Sequence, residues 1–533
     1  MFANEMFNQI LPEDEENRNL IAFITMCTCQ QHDFSLVTFN VETQQRVCKH
    51  CFEIDDILIW LKKPPKFIKK ECKGIVYDNY CLQDKDGVIN YDYRQQMISL
   101  MLVHQIPFRF VPNDIFNCMS MLIGANINLK IDETLLQVFV YKSEVKTYDL
   151  KRVDFGYILT EKRTIIIKDS DSKDEIKAKI LEKSNPKQII ATLFEYGGNG
   201  LLWKRIQAAI KSKKLTILGT HVNGFTFETS LEILKHLYDK NETKFHLRTP
   251  YSDIFGITDF AEVASEDDII LSTERHKSIP FTETKVVTRF TKMFYKAVKD
   301  DFTHEYCCFD DPYTVPEECH RIKLTLSVDI NTFPTIKHEA IIITEVAALP
   351  HKLNPDLTEN IPVIGFFDNS SVICLWNREE KSYQFLESWN GMYGRDLYID
   401  FIEERPTFVD KAENVNSLVG AVYDLIKILS LPPDNIKSEH HWGFKIAKDA
   451  ENPVLIEFET YEGYAQAAPP AFLMKMMLRE HIKAIKNESN EKPTKLGFYL
   501  FDEFDDDAKK RVENGLEEAC KLLNIEFVMI ECK

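Results

Sequence analysis

Hydrophobic positions along the chain follow two rhythms, and the rhythm changes from segment to segment. NLIAFITMC (19–27) and FSLVTFNV (34–41) predict paired strands joined by CQQHD. YDYRQQMISLMLVH (91–104) predicts a helix that leads into a strand at IPFRFV (106–111). QVFVY (137–141) and GYILTEKRTIII (156–167) alternate like strands. KQIIATLFEYGGNGLLWKRIQAAIKSK (187–213) reads as strand, glycine turn and amphipathic helix. From about 250 to 345 short β-rich runs are separated by glycine and proline turns. Among them IKLTLSVDI places Ile322, Leu324, Leu326, Val328 and Ile330 on one face at period two, the mark of a half-buried strand. Such spacing predicts a β-sandwich.

Further on, 346–362 carries Pro350, Pro355 and Pro362 with little periodicity and reads as a linker. IPVIGFFDNSSVICLW (361–376) predicts a β-hairpin around DNSS. VNSLVGAVYDLIKILSL (415–431) predicts a helix striped by Leu418, Val422, Ile426 and Leu429. A second helix starts at Pro469–Pro470 and puts Met474, Leu478, Ile482 and Ile485 on one face. Strand (496–501), helix (506–523) and strand (525–530) follow. Strand–helix–strand thus occurs twice, at 74–111 and 496–530, which points to α/β units.

Composition narrows the function classes. A chain of 533 residues is too long for one ordinary core. Carboxylates outnumber basic residues 83 to 65, for a formal net charge of −18, a field that repels nucleic acid and anionic lipid. No apolar run approaches the roughly 18 residues of a membrane span. The first residues lack the basic and apolar regions of a secretory signal, so the thirteen cysteines are expected to be reduced thiols in the cytoplasm or nucleus.

The C-terminal segments follow the order found in the seventy-kilodalton heat-shock chaperones. SEHHWGFKI (438–446), NPVLIEFET (452–460), the helix from Pro470 to Ile485 and KLGFYLFDEFDDDAKKRVENGLEEACKLLNIEFVMI (495–530) resemble the first lobe of that family's nucleotide-binding domain. His441, Trp442 and Phe444 sit in its histidine–tryptophan–proline–phenylalanine frame, with Gly443 at the usual proline. IPFRFVPNDIF (106–116) is similar to the strand and turn that carry a family glutamate, with Asp114 in its place. LKIDETLLQVFV (129–140) resembles the family's second phosphate hairpin, and LFEYGGNGLLWKRI (193–206) its adenosine-contacting turn. KSIPFTET (277–284) and IKLTLSVDIN (322–331) resemble the peptide-binding sandwich.

The resemblance implies actin-like (ribonuclease H-like) α/β lobes with an all-β sandwich between them. The expected order is an acidic tail (1–18), a reduced nucleotide-binding-like domain (19–245), a sandwich (246–345), a linker (346–362) and a first-lobe half of a second nucleotide-binding-like domain (363–533).

It also implies where a nucleotide would bind, and the implied residues are depleted. The first phosphate hairpin matches Phe367, Asp368, Asn369, Ser370 and Ser371. The serines keep the family's two hydroxyls, but Phe367 stands at the metal-facing aspartate and Asn369 at the flexible glycine. In the second hairpin Asp132 remains, while Glu133, Thr134, Leu135 and Leu136 replace the glycine run. The lysine near the γ-phosphate falls at Ile426, with Lys427 facing elsewhere. Gly197 and Gly198 are retained in the adenosine turn.

Other constellations have plain structural readings. Asp505, Asp506 and Asp507 suit a helix start. Trp442, Phe444 and the methionines Met474, Met476 and Met477 suit a core. Cys27, Cys29, Cys48 and Cys51 have the makings of a zinc site, with His32 and His50 nearby, but suit buried thiols equally well. No metal is expected.

The resemblance thus implies binding of unfolded or extended polypeptide, with co-chaperones as partners, and the depleted site implies no ATP hydrolysis. Two other readings stay open: an ATP- and magnesium-dependent chaperone with an altered site, and a scaffold that takes no peptide. A third has the two incomplete nucleotide-binding regions complement one another, the C-terminal first lobe pairing with the N-terminal second lobe within one chain or between two.

Overall fold

A computed structural model describes residues 20–26, 34–52, 72–78, 91–103, 105–194, 200–219, 222–248, 254–261, 263–274, 279–299, 304–316, 318–356, 359–410, 420–437 and 441–531. By contacts the chain divides into two compact units. The first holds 1–254, 273–282 and 327–335, and the second holds 255–272, 283–326 and 336–533. The expected boundaries at 245 and 345 do not coincide with this division, because stretches of 246–345 fall in both units.

The first unit contains two sheets. One comprises β1 (Leu20–Met26), β2 (Phe34–Asn40), β3 (Arg46–Phe52), β4 (Cys72–Asp78) and β5 (Phe108–Val111), in the order β3-β2-β1-β4-β5. β1, β2 and β3 pair antiparallel, whereas β4 lies parallel to β1 and β5 parallel to β4. The second comprises β6 (Thr134–Val140), β7 (Val145–Val153), β8 (Gly156–Ile165), β9 (Gln188–Leu193), β10 (Leu215–Ile217) and β11 (Leu247–Arg248). It repeats the plan: β6, β7 and β8 are antiparallel, and β6, β9 and β10 are parallel.

Helices α1 (Tyr91–Val103), α2 (Asn113–Gly124), α3 (Lys173–Leu181), α4 (Gly200–Ala209) and α5 (Thr226–Tyr238) belong to the same unit. Both faces of β6 are covered, and its last six residues are all buried, as expected for a strand with parallel neighbours. On one side Phe139 meets Leu122 of α2 and Tyr148 of β7 in one cluster; on the other Val138 packs with Ile176, Leu202 and Ile206.

Two antiparallel sheets lie in the middle of the chain. The first orders β13 (Val263–Ala264), β17 (Tyr306–Thr314), β16 (Met293–Lys299), β12 (Phe255–Thr258) and β14 (Ile269–Ser272). The second orders β15 (Phe281–Thr288), β18 (Arg321–Val328) and β19 (Pro334–Ile341). In β18 every second residue is buried, including Ile322, Leu324, Leu326 and Val328, as the alternation predicts.

The stretch read as a linker is a correction. It contains α6 (Thr344–Ala347) and α7 (Leu349–Asp356), and Val346, Leu349 and Leu353 are fully buried. These residues pack with Val363, Phe367, Val372 and Ile530, and so cover one face of the third main sheet.

That sheet contains β20 (Val363–Phe367), β21 (Ser370–Asn377) and β22 (Ser382–Phe385). Insertions follow: β23 (Arg395–Asp396), β24 (Tyr398–Asp400), β25 (Thr407–Val409) and β26 (Ala421–Val422), then α8 (Leu425–Ser430), β27 (Lys445–Ala447), β28 (Leu455–Glu459) and β29 (Ala465–Ala468). The chain then builds α9 (Pro470–Ser489), β30 (Lys495–Leu500), α10 (Asp506–Lys521) and β31 (Glu526–Met529). The sheet order is β22-β21-β20-β30-β31, antiparallel across β20–β22 and parallel from β20 to β30 and β31. One strand plan therefore recurs three times.

The helix expected over 415–431 is shorter than its stripe. Val422 lies in β26, and Asp424, at φ 57°, turns the chain before α8 begins at Leu425. Residues 411–419 lie outside the described residues, as does the expected acidic tail. No helix among the described residues is long and apolar enough to cross a membrane.

Candidate functional site

In open sheets with parallel strands, ligands bind beyond the carboxyl ends of those strands. In the second unit these are the ends of β20, β30 and β31, where Phe367, Asp368, Phe501, Asp502 and Glu531 emerge. Asp368 and Asn369 form the two-residue turn between β20 and β21, and Phe367 pairs with Ser370 across it. Asp368 has φ 47°, so it departs from strand alternation and turns toward Asp502, whose Oδ2 accepts its backbone N–H at 2.9 Å.

Two carboxylates meeting at such a point have the chemistry to hold a divalent cation. Here a side chain of the same unit supplies the positive charge. Arg321, at the start of β18, donates to both oxygens of Asp368, through Nε at 2.8 Å and Nη2 at 2.9 Å. Its Nη2 also lies 3.5 Å from Asp502 Oδ1. The bidentate fork is the strong geometry for a guanidinium on a carboxylate.

The serines are committed inward. Ser370 and Ser371 are buried. Ser370 Oγ donates to Asp396 at 2.7 Å, and Asp396 is bound in turn by Arg289 Nε at 2.8 Å. Ser371 Oγ lies 2.8 Å from His481 Nε2 and accepts from Trp389 Nε1 at 3.1 Å. His481 is fully buried, and burial holds its imidazole at a pKa of about 4. It is therefore neutral at pH 7, with Nδ1–H donating to the Met477 carbonyl and Nε2 accepting the serine hydroxyl. Gly394, at φ 65°, presses on the same strand: a Cβ there would lie 2.1 Å from the Ser371 carbonyl oxygen. Asn369 Oδ1 accepts the Asp424 N–H at 2.9 Å. Ile426 is core, and the Lys427 ammonium lies over the Trp442 ring.

These residues do not fit a magnesium–nucleotide group. The hydroxyls serve buried networks, Phe367 is fully buried beneath α6 and α7, and the carboxylate pair already has a cation.

In the first unit the second-hairpin reading needs correcting. The turn between β6 and β7 is Tyr141–Lys142–Ser143–Glu144, not 132–136. Asp132 precedes β6 and pairs with Lys151 at 2.8 Å, and Leu135 and Leu136 are core residues within the strand. The carboxyl ends of β6 and β9 are closed by Tyr141 and Phe194, whose rings lie 4.5 Å apart. Asp114, in the first turn of α2, pairs with Lys162 at 2.8 Å. Gly197 and Gly198 lie outside the described residues.

Cys27, Cys29 and His32 also lie outside them, while Cys48 and Cys51 lie on β3. No group of three or more potential metal ligands occurs among the described residues. Asp505 caps α10 by accepting the Ala508 N–H at 2.7 Å. Trp442, Phe444, Met474 and Met477 are buried in one core, with Met476 packed against it.

No family model matches the chain, and no curated protein matches it.

The Asp502 carboxyl yields a prediction with a definite sign. Burial, then repulsion by Asp368, raises its pKa to about 6 against Arg321 and the Asp368 amide. A raised folded-state pKa contributes stability below the unfolded value near 3.9, which is lost as pH climbs through 6. The shift of about two units corresponds to at most about 3 kcal/mol. Asp502→Asn keeps an acceptor for the Asp368 N–H and carries no charge. It is expected to stabilise the unit at pH 8 by about 1–3 kcal/mol and to change little at pH 4.5, read from urea midpoints at both values. Destabilisation at pH 8 would mean that pairing with Arg321 outweighs burial.

Proposed function

We propose that this chain is a divergent relative of the seventy-kilodalton heat-shock chaperones that binds extended polypeptide and does not turn over ATP. In this reading the three repeats of one strand plan are actin-like lobes, and the antiparallel sheets between them are the peptide-binding part. The observation that carries it is Arg321 paired with Asp368 and Asp502 at the carboxyl ends of β20 and β30. A guanidinium there offsets the carboxylates permanently, where a hydrolase would need a metal ion and phosphate oxygens to exchange. Tyr141 against Phe194 favours the same conclusion for the first unit.

The binding half of the reading is supported by strands that stand at the ends of their sheet orders among the described residues. β15 borders its sheet, with Val286 half exposed, and β13 and β14 border the other. In general an edge strand is where an extended peptide can add as a further strand.

The test uses the full chain. A single-turnover assay with magnesium and ATP is expected to give no turnover above background. Turnover that disappears in Gly198→Trp would establish the ATP-dependent alternative. Apolar peptides from a broad library are expected to bind with affinity on the order of micromolar or weaker. If none binds, the scaffold reading replaces this one.

A further inference from the structure

A small cavity in the first unit has a composition that the proposed function does not use. Its walls include Ile115 and Met119 of α2 and Ile233 of α5, and its polar groups are Arg109, His236 and His246. Its volume of about 10 Å³ suits one water-sized particle.

Arg109 sits on β5 and is only 7% exposed. Its Nη1 is buried with no hydrogen-bond partner among the described residues. An unpaired guanidinium nitrogen in an apolar wall is costly, and buried charges are ordinarily paired. The opposing charge that acts on it is Asp329, whose Oδ1 accepts the N–H groups of Asn331 and Phe333. Burial lowers the Arg109 pKa to about 9, which still leaves it charged at pH 7.

Opposite it the His236 and His246 rings stack at 3.5 Å with 17° between their planes. His236 donates through Nδ1–H to the Glu242 carbonyl at 2.9 Å. Burial lowers both histidine pKa values, that of His246 to about 2, so the pair is neutral and stacks without repulsion. The charges acting on the pair are Arg109, Lys240 and Arg248 against Asp239, with Asp329 beside Arg109, an excess of positive charge.

We propose that this cavity binds a single monovalent anion of chloride size, held by Arg109 Nη1 between α2 and α5. Single occupancy follows from the volume, the negative charge from the guanidinium nitrogen that has no partner among the described residues, and the apolar walls exclude a hydrated divalent anion. Such an anion would tie β5 to the helices that cover it.

The test compares thermal unfolding of the full chain in sodium chloride and in sodium gluconate at constant ionic strength. Saturable stabilisation by chloride of a few degrees is expected for the wild type and not for Arg109→Met, since an ion bound only by the folded state raises its melting temperature by mass action. Identical curves in the two salts, or an equal chloride response in the variant, would overturn the proposal. If Arg109→Met does not fold, crystals of the wild type soaked in bromide decide. An anomalous peak within hydrogen-bond reach of Arg109 Nη1 supports the site, and water alone at that position excludes it.

Discussion

Arg289→Met is expected to destabilise the second unit by about 3–5 kcal/mol, the cost of leaving one member of a buried ion pair without its partner. Arg289 and Asp396 have side chains 8% and 7% exposed, and Nε lies 2.8 Å from Oδ1. Arg289 Nη1 also donates to the Cys319 and Tyr393 carbonyls at 3.1 and 2.5 Å. Methionine fills much of the same space but offers no donor. Asp396 would lose the guanidinium while keeping the Ser370 hydroxyl, and two carbonyls would lose a donor.

A companion variant separates the charge from the packing. Arg289→Met combined with Asp396→Asn removes both charges, so it should recover part of the loss even though it carries one more substitution. Urea unfolding of the full chain, with hydrogen exchange in β20 and β21 reporting on this unit, measures both. A loss below about 1 kcal/mol for the single variant would show a pair as weak as a surface one.

Much of this arrangement was legible in the sequence wherever periodicity and burial agree. β18 alternates because one face is buried, and α9 shows its stripe because one side is core. The hairpin at 361–376 was readable from two apolar runs around a polar turn. The misreadings have physical causes. Pro350 and Pro355 suggested a linker, yet Pro350 is the second residue of α7, where a helix does not need the missing N–H. The signal that reveals α7 is Leu349 with Leu353 at a spacing of four, following Val346. The stripe over 415–431 was real as hydrophobicity, but the left-handed turn at Asp424 splits it, and nothing in residue order marks that turn.

The candidate site was the least legible part. Asp368 and its partner Arg321 are 47 residues apart. The resemblance implies which phosphate ligands the hairpin would lack, but it does not say what stands in their place. Ser370 and Ser371 illustrate the same limit. As residues they match a phosphate loop, and only the pairing of β20 with β21 shows their hydroxyls turned to Asp396 and His481.

Phe367→Asp is expected to have the largest effect of any single change at this site. By resemblance it restores a metal-binding carboxylate. By structure it should unfold the lobe. Phe367 is fully buried, its ring lies 5.0 Å from His320 and 6.3 Å from Phe501, and it packs with Leu349, Leu353 and Ile530. Emptying a buried phenylalanine site costs about 3–5 kcal/mol before any charge is added. The new carboxylate then loses its hydration within apolar walls, a further penalty of several kcal/mol unless a cation pairs with it. The Arg289 guanidinium lies 5.7 Å from the ring centre, but it is held by Asp396 and two carbonyls. His320 is no better, because burial lowers its pKa and both its ring nitrogens are engaged, by the Met392 carbonyl and the Ile343 N–H. The total exceeds about 5 kcal/mol, comparable to the whole stability of a typical domain. Phe367→Leu, which keeps the site apolar, should cost only about 1–2 kcal/mol and serves as the control. The measurement is hydrogen exchange across β20 and β30 in both variants, with and without magnesium. Protection that survives in Phe367→Asp and increases with magnesium would show that Arg321 yields to a metal ion and that this lobe still has the makings of a nucleotide site.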